Sequence, residues 1–182
     1  MVVEADRRTV WQVDPKHSAV EFAATYLAIT TVKGRFSGVS GTIRADEADL
    51  ARSTVEVEID AASLETSEGR RDAHLRSADF LDVERYPVIR FISTSVEPAE
   101  ADRLRVHGNL TVRGTTREVI LDTRNNGQGR TPEGLVVASF SAETRIDRRD
   151  FGCIWNQLLE TGGLLVGDIV AIHLEVQAIR QD

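Results

Sequence analysis

Between Thr54 and Asp60 the chain reads TVEVEID, with Val55, Val57 and Ile59 on one parity and Glu56, Glu58 and Asp60 on the other. Only an extended strand, whose side chains alternate faces, sorts such a segment into an apolar and a polar side. The same period of two recurs at residues 10–14 (VWQVD), 17–26 (HSAVEFAATY), 32–44 (VKGRFSGVSGTIR), 88–96 (VIRFISTSV), 103–113 (RLRVHGNLTVR), 116–124 (TREVILDTR), 134–147 (GLVVASFSAETRID) and 168–180 (DIVAIHLEVQAIR). Turn chemistry falls between them at Pro98, at Arg113-Gly114, and at Asn125-Asn126-Gly127 through Gly129.

About eight strands joined by short turns predict an all-β protein with an antiparallel sheet. Gly34, Gly38 and Gly41 lie inside a strand-like run and predict bulges or bends, as a closing sheet needs. No helix follows them, so a phosphate-binding loop lacks its physical basis. Such an antiparallel sheet packs in two layers or closes into a barrel, and the long strands and interior glycines favour the barrel, whose inside at about eight strands either fills with side chains or holds one small ligand. Strands of about ten residues, tilted by about 40°, make such a barrel roughly 25 Å tall. One domain over residues 1–182 is the economical reading, with residues 1–9 expected to be flexible.

A net charge of −7 opposes nucleic-acid backbones and anionic lipid surfaces, so no nucleic-acid partner is expected. There is no apolar run near 20 residues, and stable membrane insertion is not expected. The N-terminus MVVEADRRTVW has no apolar signal region. A cytoplasmic location is therefore expected as written, and export if a leader was removed. Cys153 is the single cysteine, which excludes an intrachain disulfide and Cys-rich zinc sites. No neighbouring His or Lys activates it, so an inert thiol is expected.

One stretch breaks the alternation: GRRDAHLRSADFLDVERYP, residues 69–87. Thr66 or Ser67 offers a helix cap, and Pro87 stops helix before the next strand. A short helical connection is expected around residues 67–83. Arg71, Asp72 and His74, joined by Arg148, are candidates to touch a polar headgroup at a tunnel mouth. The same Arg–Asp–His set equally forms a hydrogen-bonded clasp that fastens the connection to the barrel.

An enzyme is the rival from another class, through His17, Asp72, His74 or Arg148. His17 and Ser18 are adjacent and point to opposite faces of a strand, and there is no Gly-x-Ser-x-Gly elbow. His107 and His173 lie mid-strand and can be read as facing each other across the barrel or as ordinary hydrogen-bonded residues. No metal, catalytic residue or cofactor is assigned. A second rival is a barrel with a filled interior that acts as an interaction module.

In order along the chain, Trp11-Gln-Val-Asp-Pro-Lys-His-Ser18, Val32-Lys-Gly-Arg-Phe36, Ala62-Ser-Leu-Glu-Thr66, Arg71-Asp-Ala-His-Leu-Arg-Ser77, Ala78-Asp-Phe-Leu-Asp-Val83, Tyr86-Pro-Val-Ile-Arg-Phe91, Gly108-Asn-Leu-Thr-Val-Arg-Gly114, Arg148-Arg-Asp-Phe-Gly152 and Val166-Gly-Asp168 resemble the YceI-like family of polyisoprenoid-binding, lipocalin-like proteins. The resemblance implies an extended eight-stranded antiparallel barrel whose hydrophobic tunnel takes the tail of a polyisoprenoid, an isoprenoid quinone or a similar long-chain amphiphile, for transport, storage or sequestration. It also implies that many members are exported, and it would make the substrate of the enzymatic rival a lipid or quinone. A homodimer is compatible with the family and with the apolar run Leu164-Leu165-Val166.

Tail burial can supply the affinity by itself. At ~0.3 kcal/mol per heavy atom for larger ligands, twenty to forty carbons give about 6–12 kcal/mol. Parity selects Phe22, Ala24, Phe36, Val57, Ile59, Phe91, Leu110, Phe140, Ile172 and Leu174 as inward and ligand-binding, with Leu75 and Phe80 from the connection.

Overall fold

A computed structural model describes residues 6–182. Eleven strands and one α-helix follow one another as β1 (Thr9–Val13), β2 (Ala19–Tyr26), β3 (Thr30–Phe36), β4 (Val39–Ala45), β5 (Thr54–Asp60), β6 (Leu64–Glu65), α1 (Gly69–Arg76), β7 (Val88–Pro98), β8 (Arg103–Val112), β9 (Thr115–Arg130), β10 (Val136–Asp147) and β11 (Ile169–Arg180). All pairings are antiparallel.

The sheet closes on itself. β1 pairs with β4 through Trp11↔Ile43 and with β11 through Trp11↔Arg180. The ring β1-β4-β5-β7-β8-β9-β10-β11 thus has eight strands and no free edge at this end, which we call the lower end. At the upper end β11 passes from β1 to β2, and β2 pairs with β3, then β3 with β6. The pairs β1/β2, β3/β4 and β5/β6 are each one long strand with a kink.

Each kink has a local cause. Pro15 opens a 3-10 turn over Pro15–His17, and the Asp14 carboxylate caps it by accepting from Lys16 N at 3.0 Å. Ser18 Oγ donates to Gln177 O and accepts from Gln177 N, at 3.3 and 3.1 Å. The break therefore stays stitched to β11. The expected strand 17–26 accordingly starts later, at Ala19.

The expected strand 32–44 is two strands, broken at Ser37-Gly38. Gly38 sits at that corner, where its amide donates to Ser63 Oγ. Gly34 marks no bulge, since the β2–β3 register is continuous through it. It makes room instead: a Cβ there would lie 2.3 Å from Phe22 Cζ. Gly108 does the same for Phe91, whose Cζ would be 2.4 Å from an added Cβ. Two aromatic rings thereby lie against the wall rather than across the bore.

The segment Asn125–Gly129, expected as a turn, belongs to β9, and the reversal comes at Thr131–Gly134. Asn126 is an extra residue there, because Phe140 pairs with Asn125 and Ser139 with Gly127. Of residues 1–9, expected to be flexible, 1–5 lie outside the described residues, and Thr9 is already in β1. Among the described residues no helix is long and apolar enough to cross a membrane.

The seat of Phe91 against Gly108 carries a testable consequence. Gly108→Ala must push the Phe91 ring or the Ile92 carbonyl, which a Cβ would meet at 2.6 Å. A loss of about 1–3 kcal/mol is expected in urea unfolding. Gly129→Ala, where nothing lies within 4 Å of an added Cβ, should stay within about 0.5 kcal/mol of the parent.

Candidate functional site

Inward parity builds two apolar chambers inside the barrel. The lower chamber holds about 380 Å³ and is lined by Trp11, Val13, Ile43, Val55, Val96, Leu104, Val106, Ala138, Phe140, Ala142 and Val176. The upper chamber holds about 200 Å³ and is walled by Val20, Phe22, Ala24, Phe36, Ile59, Phe91, Leu110, Val119, Ile172 and neighbours from the connection. Val57, Leu121 and Leu174 border both and form the waist between them.

Each of the twelve residues expected to face inward lines one chamber or the other. Phe140 faces the lower one, Val57 and Leu174 the waist, and Phe22, Ala24, Phe36, Ile59, Leu75, Phe80, Phe91, Leu110 and Ile172 the upper one. Parity missed Leu121 and Val119 because Val119-Ile120-Leu121 is apolar throughout. Ile120 is the outward one, at 50% exposure. Phe151, Cys153 and Val166 also line the upper chamber from the segment after β10, which has no alternation to read.

The upper end is closed by the connection between β6 and β7. Glu68, and not Thr66 or Ser67, caps α1: its carboxylate accepts from Arg70 N and Arg71 N at 3.1 and 2.7 Å. Thr66 and Asp72 serve the fastening. Asp72 is buried and accepts from Thr66 N at 2.8 Å and from the Thr66 hydroxyl. Arg71 Nε donates to Thr66 Oγ1 at 2.7 Å and its Nη2 to Thr66 O at 2.8 Å. Arg76 donates to the carbonyls of Ala62 and Leu64. These bonds hold α1 onto β6, so that Leu75 and Phe80 reach the chamber.

Arg71, Asp72 and His74 do not line either chamber. His74 Nε2 lies 2.8 Å from Asp79 Oδ2, and its ring meets Phe80 and Trp155 edge-on at 5.1 and 4.5 Å between centroids. Arg71 and Asp72 thus tie α1 to Thr66, and His74 pairs within the connection itself.

Arg148 does border the upper chamber, but its donors are engaged. Nε donates to Gly167 O at 2.9 Å, Nη1 to Cys153 O and Trp155 O at 2.5 and 3.0 Å, and Nη2 to Val166 O at 3.4 Å. Asp168 adds a carboxylate 3.6 Å away. Burial pushes the guanidinium pKa down, and Asp168 opposes that. The side chain is aimed inward by the 3-10 turn Arg148–Phe151. Asp147 caps that turn, and the Arg149 guanidinium on its carboxylate holds its pKa down to about 2.

Phe80 is gripped from both sides. Its carbonyl accepts from Arg113 Nη1 at 2.8 Å and faces Cys153 Sγ at 3.4 Å, while the Arg148 guanidinium lies 5.8 Å above its ring. Burial raises the Cys153 pKa, which keeps it a thiol.

The residues of the enzymatic rival do not converge. His17 is outside, 2.7 Å from Asp14, and the others are held as described. His107 and His173 face outward, 3.1 Å from Glu97 and 2.8 Å from Glu175. Among the described residues no group of three or more His, Cys, Asp or Glu side chains is placed to hold a metal ion.

A family model described as a YceI-like domain matches residues 11–178. The chain belongs to the YceI-like family. Protein YceI of Salmonella newport is 40% identical over 136 residues, 75% of this chain and 71% of that protein. Among solved structures, Burkholderia cenocepacia BcnA superposes with a TM-score of 0.79 at 23% identity, over 91% of this chain and 98% of that one. A polyisoprenoid binding domain from Saccharophagus degradans superposes with a TM-score of 0.67 at 15% identity, over 94% of this chain and 98% of that one. At these identities the two structures show the YceI-like barrel fold.

Arg148 is the residue on which the closure should fail. Arg148→Ala leaves the carbonyls of Gly167, Cys153 and Trp155 without this donor, while Val166 O keeps Asn156 Nδ2 at 2.8 Å, and a loss of about 3 kcal/mol is expected in urea unfolding. Cys153 in that variant should react with Ellman's reagent far faster than in the parent, where the thiol should be protected until unfolding.

Proposed function

We propose that this chain binds the apolar tail of a polyisoprenoid, an isoprenoid quinone or a similar long-chain amphiphile, and carries, stores or sequesters it without chemical change. The observation that carries the reading is the hollow interior. Two chambers lined almost wholly by aliphatic and aromatic side chains run through one barrel and meet at a waist. Such a bore offers dry area and few hydrogen bonds, which suits a chain of methylenes. It speaks against the filled barrel of an interaction module. The S. degradans domain, described as polyisoprenoid binding, shares the fold and supports the same ligand class.

A binding role is favoured over catalysis because polar groups at the upper chamber serve the fold. Arg148 is spent on loop carbonyls, and Cys153 is held as a thiol by burial. A homodimer is part of the proposal and has a surface to use. The β2–β3 hairpin and the loop after β10 are tied by Leu27 N to Leu165 O at 2.9 Å. Together they expose Ile29 at 84%, Ile154 at 70% and Leu158 at 74%.

Native mass spectrometry, followed by solvent extraction, tests the reading. One long-chain amphiphile per barrel is expected in purified protein or after incubation with polyprenyl and fatty-acyl ligands. Failure of every ligand to bind would overturn it. Phe140→Asp, in a folded variant, should abolish retention. Leu121→Trp at the waist should shorten the tails that bind. Each five-carbon unit shut out costs about 1.5 kcal/mol, roughly tenfold in affinity.

A further inference from the structure

We infer that the polar head of the ligand sits at the lower mouth, on Asn125 and Gln128, and that it is an uncharged oxygen group, a hydroxyl or a carbonyl. This rests on the tail-binding reading above. The two ends of the bore differ in what they offer. At the upper end Arg148 is engaged on carbonyls and Cys153 on Phe80 O, which leaves the Thr144 hydroxyl as the one other polar side chain in the lining. At the lower end the chamber is rimmed by Glu47, Leu50, Ser53, Asn125 and Gln128.

Two amides of β9 reach that rim, one on each side of the bulge. Before it, Leu121, Thr123 and Asn125 share the inward parity. The extra residue Asn126 shifts the parity, so that Gln128 faces inward and Gly127 does not. Gly127 takes the bend with φ 109°, which a side chain would resist. Asn126 itself is held outside, donating to Ser141 Oγ at 2.8 Å. Asn125 Oδ1 accepts from Gly127 N at 3.0 Å, which turns its Nδ2 donors away from the backbone. Among the described residues the Gln128 amide has no side-chain partner. A bulge that re-aims side chains at a cavity rim is where such devices concentrate.

The charges at this mouth select against an anion. Glu47 is on the rim itself. Of the nearby cations, Arg8 is answered by Asp6 at 2.7 Å and Arg52 by Asp46 at 3.6 Å, while Arg130, on the same strand face as Gln128, donates to Gly134 O at 2.9 Å. Two amides can donate to and accept from a neutral oxygen, and a phosphate would meet Glu47 instead. The tail then enters first, and its far end lies under the lid made by Phe80 and Leu75.

The test uses one tail with several heads: geranylgeraniol, a quinone with the same tail, geranylgeranyl phosphate, and the matching hydrocarbon. Binding to the whole delipidated chain is measured by native mass spectrometry and by competition. The alcohol and the quinone should each bind about fivefold to tenfold tighter than the hydrocarbon, and the phosphate weaker than either. The separate alcohol and quinone arms show which oxygen the mouth prefers. In the double variant Asn125→Leu, Gln128→Leu that preference should vanish while hydrocarbon binding persists, which also shows that the barrel is intact. Glu47→Gln should raise phosphate affinity several-fold.

Tightest binding of the phosphate by the parent would overturn the inference. So would an undiminished head preference in the double variant, or its loss in Arg71→Ala or His74→Ala at the other end. In those cases hydrocarbon binding would leave the carrier reading standing. Binding of no member, hydrocarbon included, would overturn the carrier reading and this inference with it.

Discussion

Closure through β1 is the constraint on which the rest depends. A strand of only five residues satisfies two neighbours at once, β4 on one edge and β11 on the other. Without it the ring would open into a curved sheet with two long edges, and the apolar face would meet water. Trp11 shows how tightly the position is fixed. It is 3% exposed, packs with Ala138 and Ala178, and donates its Nε1–H to Thr9 Oγ1 at 3.0 Å. Because closure takes up the backbone donors and acceptors, the interior can be lined by aliphatic side chains with little polar residue inside. A dry bore is thus a product of hydrogen bonding at the wall.

The upper end solves a different problem. There β3 pairs with two-residue β6 and does not reach β7, so strand pairing alone cannot close the wall. A helix and its following turns fill the gap. They carry polar groups that a dry interior would penalise, and each is satisfied locally: Asp72 by Thr66, Arg71 and Arg76 by carbonyls, Arg148 by the loop after β10. Phe80 joins the two halves, since the helical connection supplies its ring and the loop supplies the groups that clamp it. The lid is therefore built from two distant segments that depend on one side chain from each, Phe80 and Arg148.

Much of this was legible in the sequence, and the physical reason is parity. Where apolar and polar residues alternate, as at Val55–Ile59 or Ile172–Leu174, the inward set can be read directly, because a barrel wall has one dry face. Reading failed where alternation fails. Val119-Ile120-Leu121 hid the waist. The pair Ser37-Gly38 hid a corner inside what looked like one strand. Asn125–Gly129 has turn-forming composition, yet β10 pairs with it and makes it strand, an instance of tertiary pairing overriding local propensity. Thr66 and Ser67 looked like caps, but the buried Asp72 claims Thr66, and Glu68 takes the role one residue on. The headgroup candidates were charged residues near each other in sequence. Nothing in composition distinguishes a clasp from a contact.

The division between tail and head follows from magnitudes. Carbon burial at ~0.3 kcal/mol per atom accumulates with length, so a long tail dominates affinity whatever its chemistry. One or two hydrogen bonds add about 1 kcal/mol each, too little to hold a ligand but enough to rank ligands of equal length. A carrier built this way gains affinity from the bore and discrimination from the rim, and the two can change independently. The bulge at Asn126 lies near the end of β9, where re-aiming Gln128 does not disturb the wall. The waist at Val57, Leu121 and Leu174 sets how far a tail can advance. Length selection and head selection thus sit on different residues of one barrel.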